Sequence, residues 1–310
     1  MTAQPLPPHQ DDDAEPISLG GDTPVPGPVL PFADLDTLWL QVTGTLCNIA
    51  CRHCFITCGP KNDSHPMMDT AHILSTLEDA RRRGVREYYF TGGEPFMHPD
   101  IVAIIEATLA QGPLTILTNG ILITRTLAAQ LAALAEASPY SLDIRVSIDG
   151  TTPEENDPIR GKHTFAKILA GAQTLHQHGI NPVFTVTTVH ARLAESEGRT
   201  EFLHLLRSKG FTRPRLKLIP PFKIGREERR SGGYEASEYL MEGDLFEGEE
   251  HVLQCGSCRM VTAKGVYPCP ILIEEEGARM GDHLDDALRP IRLDQRACYT
   301  CHVEGFTCRT

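Results

Sequence analysis

The chain has 310 residues, 41% of them apolar, which is enough for one large α/β domain with a small appendage. No apolar run approaches the ~18 residues of a membrane span, and the N-terminus lacks the basic and apolar stretches of a secretory signal, so a cytoplasmic protein without a membrane role is expected. The net charge of −12 is uneven, with seven acids and no Lys or Arg in the first 51 residues, and no basic stripe is left that would bind a phosphate backbone, which argues against nucleic acid as a partner.

Residues 1–31 hold eight of the 23 prolines and the run Asp11-Asp12-Asp13. Such a stretch cannot bury enough surface to offset the entropy of ordering it, and a disordered tail is expected. From Thr37 onward, strand, loop and helix alternate. Residues 37–44 are β-rich, end in Gly, and run at once into a Cys-containing loop. Asp69 is a helix cap ahead of Ile73, Leu77 and Ala80 on one face, with Gly84 as the stop. Residues 86–91 form the second strand and lead into Gly92-Gly93-Glu94-Pro95; Pro99 then opens a helix with Ile101, Ile104 and Ile105 at core spacing. A third strand at 114–117 ends at Thr118-Asn119-Gly120, a Leu/Ala-rich helix follows near 125–136, and a fourth strand at 142–148 ends at Asp149-Gly150. Phe165, Ile168, Leu169, Ala172 and Leu175 repeat with helical period over 164–178. A strand at 182–189, a helix near 194–209 and a sixth strand at 215–219 complete the series. Six strands alternating with helices over 32–221 predict parallel βαβ units with right-handed crossovers. The turns at their C-terminal ends mark the rim where such barrels place active sites. Residues 222–250 break the rhythm and are expected to be a linker or mobile loop, and 251–310 are Cys-rich.

Ten Cys in a chain of this kind point to metal or redox sites rather than disulfides. Cys47, Cys51 and Cys54 are spaced C-x3-C-x2-C, with His53 just before the third. Three thiols do not fill the four positions of a structural zinc ion unless Cys58 or His53 completes the set. They suit a [4Fe-4S] cluster with three irons held and the fourth left open. In the next loop, two glycines let the backbone approach a ligand, and the Glu94 carboxylate can accept from an ammonium group.

This spacing, followed after one further strand by Gly92-Gly93-Glu94-Pro95, resembles the radical S-adenosylmethionine (SAM) superfamily over about 45–221. The resemblance implies an α/β fold, a partial (β/α)6 TIM-like barrel. It also implies that the open iron chelates the amino and carboxylate groups of SAM, and that one electron cleaves SAM to a 5′-deoxyadenosyl radical, which removes a hydrogen atom from the substrate. By the same resemblance, Glu94 and the backbone at Gly92 and Gly93 hold the SAM ammonium. Ser147, with Asn119 as a second candidate, lies on the ribose or carboxylate, or is simply a hydrogen-bonded strand end. Arg160, in Asp157-Pro-Ile-Arg160-Gly161, pairs with the SAM carboxylate, a task suited to a guanidinium fork, or sits at the surface. Thr187 and Val189, with Leu218 and Ile219, line the adenine pocket or fill core. Cys58 is a hydrogen donor to a substrate radical, an attachment point, a fourth cluster ligand, or inert.

The C-terminal thiols read Cys255-x2-Cys258, ten residues, Cys269, then Cys298-x2-Cys301, six residues, Cys308. Two C-x2-C pairs alone spell a zinc ribbon. Behind a barrel of this kind they are similar to twitch and SPASM auxiliary-cluster extensions, although a full SPASM extension has seven Cys and six are present. One four-thiolate [4Fe-4S] cluster with two spare Cys, or two clusters of three ligands each, fits the count. The expectation is a radical SAM enzyme whose auxiliary cluster or clusters anchor substrate or carry away an electron, supplied with electrons by a flavodoxin, ferredoxin or reductase. The substrate is a small molecule or a peptide, and the negative charge tips the balance toward the small molecule. The rival from another class is a non-catalytic zinc-binding protein.

Overall fold

The structure, a computed structural model, describes residues 27–245, 248, 253–306 and 308. Most of the expected tail lies outside these residues. Its last part does not behave as a tail: Val29–Leu30 (β1) forms a short strand antiparallel to Ile291–Arg292, and the Leu30 side chain is buried.

The alternation expected from the sequence is present. Thr37–Gln41 (β2) leads to Thr70–Arg82 (α1), Glu87–Thr91 (β3), Ile101–Leu109 (α2), Leu114–Thr118 (β4), Arg125–Ala137 (α3) and Leu142–Ser147 (β5). Pro153–Arg160 (α4) and Thr164–Gln177 (α5) follow, then Val183–Thr187 (β6), Ser196–Ser208 (α6) and Arg215–Ile219 (β7). Strands β2 to β7 pair in sequence order, each parallel to the next. Alternation along each strand decides what lies on either side. Leu38 and Leu40 of β2 join Ile73 and Leu77 of α1 in the core beneath the helices. Trp39, on the opposite face, stacks on Tyr89 of β3 in the interior, centroids 4.3 Å apart and planes 18° apart. Asp69 caps α1 by accepting from the His72 amide at 2.9 Å, and Thr124 caps α3 through the Leu127 amide at 3.1 Å. Helix α4 is not signalled by the sequence pattern, being polar and interrupted by Pro158; Pro153 opens it and Gly161 closes it.

The segment expected to be a linker carries Arg226–Ser231 (α7), and beyond it the Cys-rich segment is built into the barrel sheet. Cys258–Thr262 (β8) pairs parallel with β2, in register from Thr37 opposite Cys258 to Leu40 opposite Val261. Gly265–Tyr267 (β9) folds back antiparallel on β8. The eight-stranded order is β7-β6-β5-β4-β3-β2-β8-β9. β8 covers the edge that an apolar first strand would otherwise leave open, which explains why Cys-Arg-Met-Val-Thr is buried along its whole length. Leu284–Ala287 (α8), Ile291–Arg292 (β10) and Arg296–Val303 (α9) end the fold. No helix of the described residues is long and apolar enough to cross a membrane.

Candidate functional site

A cleft opens at the C-terminal ends of the parallel strands, where such folds place ligand and cofactor sites. The loop after β2 faces it with Cys47, Cys51, Cys54 and Cys58. This loop closes on itself: Leu46 bridges Gly59, with Cys47 N donating to Gly59 O at 3.2 Å and Gly59 N to Thr45 O at 3.0 Å. The four thiols are thereby confined to one ring of chain. Burial pushes Cys47 up to about 11 and Cys51 up to about 12. Cys58 Sγ donates to Ile56 O at 3.5 Å and to Gly92 O at 3.8 Å; the neighbouring Cys58 thiol lowers Cys54, and Cys54 together with burial drives Cys58 well up.

Gly92 and Gly93 line the same cleft, but contact within the protein also requires them to be glycines. A Cβ on Gly93 would lie 2.0 Å from Leu46 O, and one on Gly92 would lie 2.2 Å from Thr43 Oγ1. The pair lets the loop after β3 lie flat against the thiol loop, with Glu94 N donating to Leu46 O at 3.0 Å. Glu94 itself is turned inward and is not part of the cleft wall. Its buried carboxylate accepts from Thr118 Oγ1 at 2.6 Å, Asn119 N at 2.8 Å and Phe96 N at 3.2 Å. Burial raises it to about 7 against these donors. Glu94 therefore ties the end of β3 to the end of β4. Asn119, held by that tie, lines the cleft and donates through Nδ2 to Asn48 at 2.7 Å, next to Cys47.

Ser147, Arg160 and Thr187 also reach the cleft. What joins two of them is Asp149, which the sequence showed only as a strand end. The Asp149 carboxylate is completely buried, receives His53 Nε2 at 2.6 Å and the Thr187 amide at 2.9 Å, and forms an ion pair with the Arg160 guanidinium at 2.5 Å. Burial alone would raise its pKa; Arg160, His53 and the Thr187 amide more than offset that and hold it well below the usual carboxylate range. One carboxylate thus links the thiol loop, α4 and the end of β6. The signal available in the sequence was an acid at a strand's C-terminal end with a basic residue downstream. Its partners, far apart in the chain, were not legible. Ile219 lines the cleft, whereas Val189 and Leu218 do not line it.

The residues present fit an iron–sulfur cluster and SAM. His53 Nδ1 and Thr185 Oγ1 are buried against the cleft with no partner among the described residues, and such groups in a native structure call for a bound partner. Arg160 brings fixed positive charge beside the thiols of Cys51 and Cys47.

A second cavity collects all six C-terminal thiols: Cys255, Cys258, Cys269, Cys298, Cys301 and Cys308. Burial raises every one of them, so only a cationic group inside the cavity would make them thiolates together. Among the described residues no three His, Cys, Asp or Glu side chains converge tightly enough to hold a single metal ion. All six thiols line one cavity, and four thiolates are what a [4Fe-4S] cluster takes. Phe55 and Phe222 of the first cleft and Phe306 of the second are in edge-on contact, at 5.6 Å for Phe55–Phe222 and 5.7 Å for Phe222–Phe306.

Comparison with known proteins agrees with this geometry. Residues 42–205 match the radical SAM superfamily. Mycofactocin maturase MftC of Mycobacterium ulcerans is 27% identical over 253 residues, covering 74% of this chain and 67% of the relative. Its counterpart in Mycobacterium tuberculosis is 28% identical, with 74% and 63% covered. A GTP 3′,8-cyclase of Chlorobaculum tepidum is 30% identical over 193 residues, covering 60% of this chain and 54% of the cyclase. The chain thus spans about two thirds or less of the length of these relatives. Among solved structures, native anSMEcpe with bound AdoMet superposes with a TM-score of 0.58 at 16% identity, covering 81% of this chain and 79% of that one. Streptococcus suis SuiB gives 0.58 at 15% identity, covering 81% and 65%. These two share the fold.

Proposed function

This chain belongs to the radical SAM superfamily, and from that premise we propose that it is a maturase whose SAM-derived radical abstracts a hydrogen atom from a peptide. A [4Fe-4S] cluster and SAM are its cofactors, and together they supply the electron and the carbon radical for that step. Cys47, Cys51 and Cys54 are the three cluster ligands. Arg160, with its Nε edge fixed on Asp149, keeps the rest of its guanidinium for the SAM carboxylate, a bidentate match. The backbone at Gly92 and Gly93 receives the ammonium, Asn119 and Ser147 lie toward the ribose, and Thr187 lies toward the base. Apolar side chains lining the same cleft (Phe55, Leu117, Ile219 and Phe222) exclude water from a reactive carbon centre. Four of the six thiols of the second cavity hold one auxiliary [4Fe-4S] cluster, with two spare Cys. A flavodoxin or ferredoxin is the electron donor.

The observation that supports a peptide substrate is the reach of the likeness. Similarity to enzymes named as maturases covers 74% of the chain, well beyond the 42–205 match of the barrel. Charge weighed toward a small molecule, and the similarity to GTP cyclases over 60% of the chain keeps a nucleotide as the second reading. The two are separated by anaerobic turnover with dithionite and SAM, with 5′-deoxyadenosine measured against a pool of short peptides or against GTP. Release stimulated by peptides supports the maturase, and release stimulated only by GTP replaces it. Zinc without iron after anaerobic reconstitution, with no deoxyadenosine, would sink both readings.

A further inference from the structure

The segment joining β7 to α7, which lies beyond the family match, is fastened to the thiol loop at several points. The Arg226 amide donates to Cys54 O at 3.0 Å. Its guanidinium donates through Nε to Cys51 O at 2.8 Å, through Nη1 to Thr57 O at 3.0 Å, and through Nη2 to Cys58 O. One residue therefore gathers four carbonyls of the thiol loop, two of them on proposed cluster ligands. Thr57 sits in a left-handed conformation, φ 48°, which few non-glycine residues adopt without support. Asn62 donates to its carbonyl from the other side, at 3.0 Å, and its hydroxyl donates to Glu274 at 2.7 Å. Gly225 makes the approach possible: it has φ +62°, and a Cβ there would lie 2.5 Å from Phe55 O and 3.0 Å from Cys54 O. Both neighbours are backbone and cannot swing away. Phe222, three residues earlier, fixes the strap laterally by its edge-on contact with Phe55.

We propose that Gly225-Arg226 is a strap that holds the thiol loop in its cluster-binding shape, and that Arg226 is a positioning residue that sets the cluster's reduction potential. This rests on the assignment of Cys47, Cys51 and Cys54 as cluster ligands. A guanidinium fork satisfies three carbonyls whose dipoles would otherwise turn freely, and Lys cannot reproduce that planar arrangement. Its fixed positive charge stabilises the reduced cluster, which carries one more electron, and net charge and hydrogen bonding near a cluster are the protein's means of tuning it.

The test uses the anaerobically reconstituted full-length protein, with the SAM-responsive EPR signal of the reduced cluster followed in a redox titration. In Arg226→Gln the iron content stays at the wild-type value, while the reduced-to-oxidised ratio at a fixed potential falls about tenfold, a shift of about 59 mV for a one-electron couple. Arg226→Lys recovers part of the shift because the charge remains. In Gly225→Ala, where no charge changes, limited proteolysis of the metal-free chain cuts residues 47–59 several-fold faster than wild type. A wild-type potential in Arg226→Gln, or unchanged cleavage in Gly225→Ala, overturns the strap. If Arg226→Gln fails to take up iron, Arg226→Lys carries the titration, and a wild-type potential there, or unchanged cleavage in Gly225→Ala, overturns the proposal. Cys51→Ala separates the premise from the inference: if its SAM-responsive signal persists, the ligand assignment itself is wrong.

Discussion

Asp149 and Glu94 are both completely buried carboxylates, yet their surroundings push them in opposite directions. Asp149 lies against Arg160 and His53, and its removal leaves a buried guanidinium without a counter-charge. Asp149→Asn is expected to cost about 3–5 kcal/mol of stability, read by urea unfolding of the metal-free chain at pH 7. Because its folded pKa is depressed, Asp149 stabilises above the unfolded value of about 3.9 and loses that contribution as pH falls further. The gap between wild type and Asp149→Asn should therefore narrow below pH ~4, and a gap independent of acid would refute the ion-pair account. Glu94 is raised to about 7 by burial, so the sign reverses. Between its unfolded value of about 4.3 and 7 the folded chain retains a proton that the unfolded chain releases, and stability declines with rising pH over that window. Glu94→Gln should lack the decline, so urea midpoints of the two proteins would diverge between pH 4.5 and 7 and run parallel above it. Parallel curves throughout would show that the three donors outweigh burial.

At the scale of elements, the close approach of two loops is the feature most exposed to substitution. Gly93→Ala would place a methyl 2.0 Å from Leu46 O. Overpacking of this kind costs about 1–3 kcal/mol, and here it would also spread the thiol loop. The expected result is a lower melting temperature together with reduced iron uptake at the first cluster; full iron loading would show that the loop yields more readily than the geometry implies. Strands β2 to β7 and the helices between them, α4 apart, were legible in the sequence, because apolar period and caps are local properties. The thiols were legible because their spacing is. Helix α4 was not, because its stability comes from packing and from the Asp157 turn (Phe165 N donates to Asp157 at 2.8 Å) rather than from an apolar stripe. Glu94 was expected at the SAM ammonium from the family resemblance and because a carboxylate can accept from that group; its partners within the chain are Thr118 and the backbone around it, which no motif announces. Arg226 was missed for a related reason: it lies in a segment that reads as linker, and its partners are main-chain oxygens, which leave no trace in residue identity.

At the scale of the whole molecule, the Cys-rich segment is a structural part of the barrel sheet, since β8 completes the edge of β2. A chain ending at residue 250 would expose a row of unpaired amides and carbonyls on β2, and it should be recovered as aggregate or without a cooperative unfolding transition. A soluble, cooperatively folded fragment would contradict the role given to β8. The single cavity containing six thiols predicts about eight irons per chain, four in each cluster, with about four left after Cys47, Cys51 and Cys54 are all changed to Ala; about twelve would mean that the second cavity divides between two clusters. The same pairing of β2 with β8 has a consequence for synthesis. Roughly 220 residues separate the two strands, and a ribosome adding ~5–20 residues per second needs about 10–45 s to cover that distance. Through that interval the first barrel strand has left the exit tunnel with one side uncovered, while the strand that will cover it has not been made. Chaperone shielding of the nascent chain should matter most in that window, and it should end when β8 clears the tunnel.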